Sequence, residues 1–328
     1  MLRSRKPGRR LLKALLPVAS LLVLGIGAGL FFIVWTIAHP TQQAYLVTPE
    51  TFPAFSARGL KVTEESWGNA DGTQARGWLL RGAENSPALV LLHNYGADRS
   101  WLFNLGVKIN EATNYTILWP DLRGHGEKPP VSHTSFGSRE TADVMAAVSF
   151  LRTLRTTQQR PLVSDSFGFY GVGLGAYAAL AAASDASQSA SVRALVLDSV
   201  PASPDDILHG ALRERFGFNN GLLNFATRRA ARIYFLGNYR NEPSCGLASR
   251  LTDKRVLMLS GEDAGDWRAQ TKSLAGCFPV PSAITVNADL PITGLTASSA
   301  TGEQGETYDR MVIEFFSGAF SENSPARP

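Results

Sequence analysis

The chain has 328 residues, of which 44% are hydrophobic and 18% charged, and its formal net charge is +4 at pH 7. This composition excludes a largely disordered chain and leaves enough apolar residues for a sizeable core. Six of the cations lie in residues 1–13, and the other 26 basic residues stand against 28 acidic ones, so electrostatics gives no case for nucleic-acid binding.

The N-terminus has the pattern of a membrane anchor. Residues 1–13 carry no acidic residue, and residues 14–38 follow as an uncharged apolar run that is long enough to cross a hydrocarbon core of about 30 Å. A signal peptide has a shorter apolar region and a small-residue cleavage site, which residues 36–38 match poorly. We therefore predict an uncleaved single-pass transmembrane helix. Residues 1–13 are predicted to be a cytoplasmic stub, and the main domain to be extracytoplasmic, either periplasmic or extracellular.

The remainder of the chain alternates between strand and helix patterns. Residues 39–58 are predicted to be a linker, because Pro40 and Pro53 interrupt regular structure. Residues 59–320 are predicted to form one α/β domain with a mainly parallel, doubly wound sheet, and residues 321–328 a disordered tail. Predicted strands occupy residues 60–67, 74–80, 88–92, 115–119, 192–197, 256–260 and 283–286, and predicted helices residues 101–110, 141–154 and 308–316. Residues 203–240 interrupt the alternation and are predicted to be a short helical cap.

Two cysteines, Cys245 and Cys277, lie in the part of the chain that is predicted to be exported. They flank the predicted strand at residues 256–260, and an exported domain permits disulfides, so a Cys245–Cys277 bond and two buried free thiols are equally compatible with the pattern. No Cys-x-x-Cys pair or His/Cys cluster indicates a metal, and we predict no cofactor.

A glycine-rich turn between a strand and an alanine-rich helix is the most informative local pattern. Its outer glycines, Gly171 and Gly175, flank Gly173. In a G-x-S-x-G turn the central position carries a nucleophilic serine on a strained strand-to-helix junction. Gly173 has no side chain that could attack a substrate, so the turn is predicted to be a nucleophile site without its nucleophile.

Three further segments carry a resemblance to a known superfamily. Residues 91–96 look like a His-Gly-x-Gly loop after a third strand, residues 120–126 resemble an Asp-x-Arg-Gly-His-Gly turn after a fourth, and residues 137–152 are similar to the helix before the nucleophile strand. Together with the glycine turn, the chain resembles the α/β-hydrolase superfamily, and within it the esterases and serine-peptidase-like hydrolases with a short cap. The resemblance implies that fold and a nucleophile, an acid and a histidine in that chain order.

The triad that the resemblance implies is incomplete, because Gly173 stands at the nucleophile position. Asp263 is the first candidate for the acid and Asp266 the second, although carboxylates at such positions also cap helices. No histidine follows them, and the segment 287–291 stands where the histidine loop is expected. The histidines of the chain all come earlier, at His39, His93, His125, His133 and His209.

The resemblance also implies an oxyanion hole made of backbone N–H groups. These groups would come from Leu174 and Tyr95, with Asn94 in place of the family's glycine. Ser164 and Ser166 are predicted to precede the nucleophile strand. They would therefore lie at the end of a parallel sheet that ligands do not use.

A dinucleotide-binding site is a weaker alternative. Residues 171–176 also match G-x-G-x-x-G/A between a strand and a helix, and Asp198 ends the next strand at about the spacing of a ribose-binding acid. Any strand-helix-strand unit with a glycine turn produces the same spacing, so the match has little specificity.

The sequence therefore favours a membrane-anchored, extracytoplasmic pseudo-hydrolase that binds a small molecule or a protein partner in the cleft under the cap. The main alternative is an active esterase or peptidase-like hydrolase with a non-standard nucleophile. Purified protein that hydrolyses esters would favour the second of these.

Overall fold

A long N-terminal helix precedes the folded domain. The computed structural model describes residues 8–51, 61–185, 190–218, 220–279, 284–296 and 303–321. Helix α1 (Gly8–Ala38) contains the segment Leu15–Ala38, which is long and apolar enough to span a membrane. The side chains of α1 are exposed from Leu15 through Gly29, whereas those of Val34 and Ile37 are buried against the domain. Residues 1–7 of the predicted stub lie outside the described residues.

The domain is built on a mixed sheet with eight strands among the described residues. These are β1 (Val62–Gly68), β2 (Gln74–Leu80), β3 (Ser86–Leu92), β4 (Thr116–Pro120), β5 (Val163–Val172), β6 (Val192–Asp198), β7 (Arg255–Gly261) and β8 (Ile284–Leu290). Their order across the sheet is β1-β2-β4-β3-β5-β6-β7-β8. β1 pairs with β2 and β2 with β4 in antiparallel fashion, and the other neighbours are parallel. The predicted mainly parallel sheet is therefore confirmed.

Helices cover both faces of this sheet. They are α2 (Phe103–Thr113), α3 (Glu140–Thr153), α4 (Leu174–Ala183), α5 (Pro204–Phe216), α6 (Gly221–Tyr234), α7 (Ser244–Ala248), α8 (Asp266–Leu274) and α9 (Glu303–Ser321). Helices α3, α4 and α8 pack on one face, and α2 and α9 pack on the other. Such double coverage explains why β3 and the second half of β5, residues 167–172, are nearly continuous buried runs rather than an alternating pattern.

Helices α5, α6 and α7 form the insertion between β6 and β7. Cys245 in α7 and Cys277, which follows α8, form a disulfide with their Cα atoms 5.2 Å apart. This bond joins the end of the insertion to the segment that follows α8.

Several elements near the C-terminus are longer than the sequence pattern predicts. Strand β8 continues to Leu290, although the apolar run stops near residue 286, because β8 is an edge strand and exposes polar residues such as Asp289. Helix α9 begins with a polar turn, which the apolar pattern does not include, and the buried residues Ala319 and Phe320 extend it beyond the predicted end at residue 316. Ser321 is the last residue of α9 rather than the first of a disordered tail, and residues 322–328 lie outside the described residues.

The predicted linker makes specific contacts with the domain. Residues 39–51 contain no helix or strand, and residues 52–60 lie outside the described residues. Within the described part, the Tyr45 hydroxyl donates a hydrogen bond to Asp121 Oδ2 (2.7 Å) and accepts one from Arg99 Nη2 (2.9 Å). The Arg99 guanidinium lies over the rings of both Tyr45 and Trp78, at 4.8 and 4.4 Å from their centroids. The segment after α1 is therefore held to the sheet.

Candidate functional site

The glycine turn has the strained geometry of a nucleophile elbow. Gly173 follows β5 and precedes α4, with φ +52° and ψ −110°, a conformation that L side chains rarely adopt. A Cβ at Gly171 would lie 2.6 Å from the Ala176 nitrogen, and a Cβ at Gly175 would lie 2.5 Å from the Leu92 carbonyl carbon. The outer glycines are thus required for the close approach of α4 to the sheet, whatever stands between them.

The side chain of Asn94 fills the place that a nucleophile would take. Its Oδ1 accepts a hydrogen bond from the Leu174 backbone N–H at 3.1 Å. A Cβ at Gly173 would lie 2.7 Å from Asn94 Cγ, closer still to Oδ1, and 3.0 Å from the ring of Trp267. The loop after β3 therefore places an amide directly over the turn.

This amide also changes the predicted oxyanion hole. In that site the N–H of the residue after the nucleophile stabilises the developing charge on the substrate. Here the Leu174 N–H is already bonded to Asn94, so a substrate oxygen would have to displace the amide. The other predicted contributor is the backbone N–H of Tyr95. The side chain of this residue contacts α1, where its hydroxyl donates a hydrogen bond to the Ile37 carbonyl (2.7 Å).

Asp263 lies beside the loop that follows β8. Its Oδ2 accepts hydrogen bonds from the Thr293 N–H (3.0 Å), the Thr293 hydroxyl (2.9 Å) and the Thr296 hydroxyl (2.6 Å). In a triad the acid would instead accept from the histidine ring. The segment 287–291 was the wrong location for this loop, because β8 extends to Leu290 and the chain leaves the sheet only after it.

Asp266 is placed differently from Asp263. It begins α8, its side chain is 81% exposed, and its nearest cation is Arg213 of α5 at 3.4 Å. It therefore contributes to the surface between α8 and the cap rather than to the turn at Gly173. Ser164 and Ser166 lie within β5, not before it as the apolar run indicated, but in its amino-terminal half.

His93 and His125 have structural roles in the loops after β3 and β4. Nε2 of His93 accepts from the Leu122 N–H (3.0 Å), so Nδ1 carries the proton and donates to the Asn94 carbonyl (2.8 Å). His125 Nδ1 lies 2.9 Å from the Arg123 carbonyl. Both rings are buried and stack edge-to-face at 5.2 Å. His93 thereby fixes the backbone of the residue whose amide covers Gly173.

Acidification is expected to destabilise the domain through these two rings. Burial lowers the pKa of His93 and of His125 to about 4, whereas an unfolded histidine titrates near 6.5. The native state binds fewer protons than the unfolded state between these values, so the stabilisation is complete above pH 6.5 and is lost towards pH 4. The loss is up to about 3 kcal/mol per ring. Thermal unfolding from pH 4 to 8 should show a flatter dependence for His125→Gln than for the parent, and parallel curves would contradict this assignment.

The other histidines do not complete a triad. His39 follows α1 and His133 lies in the loop after β4, with ring centroids 5.9 Å apart. His209 lies on α5 of the cap, and its buried Nε2 has no hydrogen-bond partner within the described residues.

Asp198 is a buried structural carboxylate at the end of β6. Its Oδ2 accepts from the Tyr308 hydroxyl and from the Gly294 N–H (2.6 Å), and its Oδ1 accepts from the Ser199 hydroxyl (2.7 Å). The Tyr170 hydroxyl lies 2.7 Å from that of Tyr308. Burial raises the pKa of Asp198 to about 6. Because the carboxylate is fully buried and bonded on both oxygens, it is not available to a ribose hydroxyl.

Asn94 lines two cavities, with volumes of about 200 and 230 Å³. Both are lined by Asn94, Tyr95, Glu214 and Leu295, and the larger also by Asp263 and Trp267. Partial burial raises the pKa of the Glu214 carboxyl, which comes from α5. Glu214 and Trp267 belong to no sequence motif, and only the packing of α5 and α8 over the turn brings them to these cavities.

Esterases are among the solved structures that share this architecture. An esterase from Pyrococcus furiosus superposes with a TM-score of 0.63 at 17% identity, over 87% of this chain and 98% of that one. An esterase from Pyrobaculum calidifontis gives 0.53 at 13% identity, over 88% and 87%. The chain has the α/β-hydrolase fold. An acylaminoacyl peptidase from Pyrococcus horikoshii shares the α/β-hydrolase fold over 86% of this chain and 46% of its own (TM-score 0.56, 14% identity).

Comparison with known sequences finds less similarity than comparison with solved structures. No protein-family model matches the chain. A protein named thiohydrolase aneE, from Aspergillus aculeatus, is 28% identical over 114 residues. The match spans 34% of this chain and 34% of that protein, so about two thirds of the relative has no aligned counterpart here.

Proposed function

We propose that this chain is a membrane-anchored, extracytoplasmic α/β-hydrolase-fold protein without serine-hydrolase activity, and that its cleft binds a small molecule or a protein partner. The single observation that carries the proposal is the Asn94 amide, which stands over Gly173 and accepts the Leu174 N–H. One side chain thus occupies both the nucleophile position and half of the oxyanion hole.

The missing base supports the same conclusion. Oδ2 of Asp263 accepts hydrogen bonds from Thr293 and Thr296, and the described loop after β8 contains no histidine. Acyl transfer by a triad needs both the nucleophile and the base, and without them only the residual catalysis of binding and oxyanion stabilisation remains. Here the oxyanion contribution is also reduced.

The proposed location rests on α1 and on the disulfide. The span Leu15–Ala38 follows a basic N-terminus, which favours a cytoplasmic N-terminus and a domain on the opposite side. The Cys245–Cys277 bond is of the kind that persists in oxidising compartments.

The cavities beside Asn94 are the proposed binding site. Each is smaller than the 300–1,000 Å³ that is typical of drug-sized ligands, which favours a small ligand or a short segment of a partner. Asn94, Tyr95 and Glu214 supply polar groups, and Trp267 and Leu295 supply apolar ones. This mixture is the usual lining of a ligand site.

An active hydrolase with a non-standard nucleophile is the second candidate. The partial similarity to a protein named thiohydrolase favours it, and the side chains that could take part are Asp263, which lines the larger cavity, and His209, which lies on α5 of the cap. Dinucleotide binding has no comparable support, because Asp198 is buried and bonded.

Turnover of short-chain esters and thioesters by the purified full chain separates the two candidates. We expect no hydrolysis above the rate without protein, and no labelling by a serine-reactive fluorophosphonate. The parent is compared with Asp263→Asn and His209→Gln, each checked for an unchanged thermal unfolding midpoint. Turnover that falls in either variant would sink the non-catalytic proposal, whereas turnover that is equal in all three indicates a contaminating enzyme and is tested by repurification.

A further inference from the structure

Helix α6 exposes an apolar stripe that nothing in the described part of the chain covers. Leu222, Ile233 and Leu236 are 79%, 75% and 87% exposed, and Phe225 is 47% exposed. Leu222, Phe225 and Ile233 lie on one side of α6 (Gly221–Tyr234), because residues three, four or eight positions apart share a helix face. Leu236 lies in the turn that follows α6. The opposite side of α6 is buried through Thr227 and Ala231.

Positive charge accompanies this stripe. Arg229 and Arg232 are exposed on the same side of α6 and make no ion pair within the described residues. Arg228, by contrast, faces the domain and pairs with Asp205 at 3.2 Å. The helix contains no acidic residue. Exposed leucine, isoleucine and phenylalanine interleaved with arginine are typical of a helix that lies in the interface of a bilayer with anionic lipids.

The position of α6 beside α1 identifies the membrane as its partner. α6 packs against the last turns of α1, where the rings of Phe31 and Tyr234 lie 5.4 Å apart. About 20 helical residues cross a hydrocarbon core, so a span that begins at Leu15 reaches the far boundary near Trp35. Trp35 and Phe32 are exposed and their ring centroids lie 6.4 Å apart, as in the aromatic belt at a membrane surface. The stripe of α6 is therefore held at the level of the lipid headgroups.

We propose that α6 and Leu236 insert shallowly into the leaflet next to the domain, with Arg229 and Arg232 contacting lipid phosphates. The inference rests on the proposed anchoring by α1 and adds a second, interfacial contact to it. It also orients the domain, because α6 is part of the cap. A cavity of about 150 Å³, lined by Thr36, His39, Tyr95 and Glu214, lies between the end of α1 and the cap and would then open close to the bilayer surface.

Site-specific fluorescence in lipid tests this proposal with the full chain. Ile233→Cys and Leu236→Cys are labelled with the environment-sensitive dye NBD, without reductant so that the Cys245–Cys277 disulfide stays closed. The protein is reconstituted into nanodiscs of phosphatidylcholine and phosphatidylglycerol with or without brominated chains. Leu24→Cys in α1 is the membrane-embedded control, and Val286→Cys, which is 42% exposed on β8, is the control for an exposed apolar site outside the membrane.

We expect the probes at residues 233 and 236 to emit at shorter wavelength than the probe at residue 286 and to be quenched several-fold more by brominated lipid. Quenching at residue 24 but not at residues 233 and 236 would overturn the inference and leave the anchor intact. Absence of quenching at residue 24 would overturn the anchor and, with it, the inference.

Two further measurements test the contact of Arg229 and Arg232 with lipid phosphate and the alternative that a second copy of the chain covers the stripe. Quenching at residue 233 should fall when phosphatidylglycerol is omitted and in the variant Arg229→Gln/Arg232→Gln. Quenching that responds to neither change would overturn the contact with lipid phosphate. Disulfide-linked dimers of unlabelled Ile233→Cys in nanodiscs, with no quenching of the labelled form, would show that a second copy of the chain covers the stripe instead and would overturn the lipid assignment.

Discussion

Gly173→Ala is expected to lower the free energy of unfolding by about 2–6 kcal/mol. A side chain at φ +52° and ψ −110° costs about 1–3 kcal/mol of backbone strain. The added methyl group also collides with the Asn94 amide and approaches Trp267 to 3.0 Å, and overpacking of this kind costs about 1–3 kcal/mol. The shift of the thermal unfolding midpoint of the full chain in detergent measures the combined effect.

The chain contains a matched control for the strain. Gly265 has nearly the same backbone conformation, with φ +53° and ψ −125°, but a Cβ there would meet no atom within 4 Å. Gly265→Ala should therefore cost only the strain, and its difference from Gly173→Ala measures the collision. Equal losses at the two glycines would contradict the placement of the Asn94 amide.

A double-mutant cycle with Asn94→Ala isolates the amide. Asn94→Ala removes the colliding group and leaves the Leu174 N–H without its acceptor. In this background Gly173→Ala should lose less stability than in the parent, by about 1–2 kcal/mol of coupling. The remaining loss reflects the strain and Trp267.

Gly173→Ser is not expected to restore hydrolysis. The new serine hydroxyl would compete with Asn94 for space. No histidine is bonded to Asp263, so the serine would lack a base to accept its proton. The double variant Gly173→Ser/Asn94→Ala makes room for the hydroxyl but still has no base. Its labelling by fluorophosphonate should therefore be no stronger than that of Gly173→Ala, which has no hydroxyl at this position. Labelling of the serine in either variant would show that a base is present that the hydrogen bonds do not reveal.

Loss of the Cys245–Cys277 disulfide is the second large effect that we expect. The cysteines are separated by 32 positions, and closure of a loop of that length stabilises a fold by about 3–4 kcal/mol through the entropy of the unfolded chain. The variant Cys245→Ser/Cys277→Ser should have a correspondingly lower unfolding midpoint, and reduction of the parent with dithiothreitol should reproduce it. A midpoint that neither change alters would contradict a stabilising role for this bond.

The same bond reports on the compartment. Intact cells are treated with a membrane-permeant thiol reagent, and the protein is then analysed without reduction. If the domain is extracytoplasmic, Cys245 and Cys277 stay in their disulfide and do not react with the reagent. Reaction of both would place the domain on the reducing side of the membrane. The serine variant serves as the blank for this labelling.

Local sequence patterns were sufficient for the order of the strands and placed Gly173 between β5 and α4, whereas they did not predict α7 or α8. The apolar runs of β3, β5 and β6 mark buried parallel strands, because a sheet covered on both faces needs apolar side chains on both. The pattern failed at β8 and at the ends of α9, where one side of the element faces solvent. The histidine loop was misplaced for the same reason.

What the sequence by itself determined is which residues stand at the expected triad positions: Gly173 has no side chain, and no histidine follows Asp263. Only the tertiary structure decided which side chain lies over Gly173. Asn94 and Leu174 are 80 positions apart, and the amide reaches the turn because β3 lies beside β5 in the sheet. The alignment of the α6 stripe with the end of α1 likewise depends on packing across the domain. Periodicity and propensity act over a few residues, whereas such contacts are set by strand order and by helix packing, which no local pattern encodes.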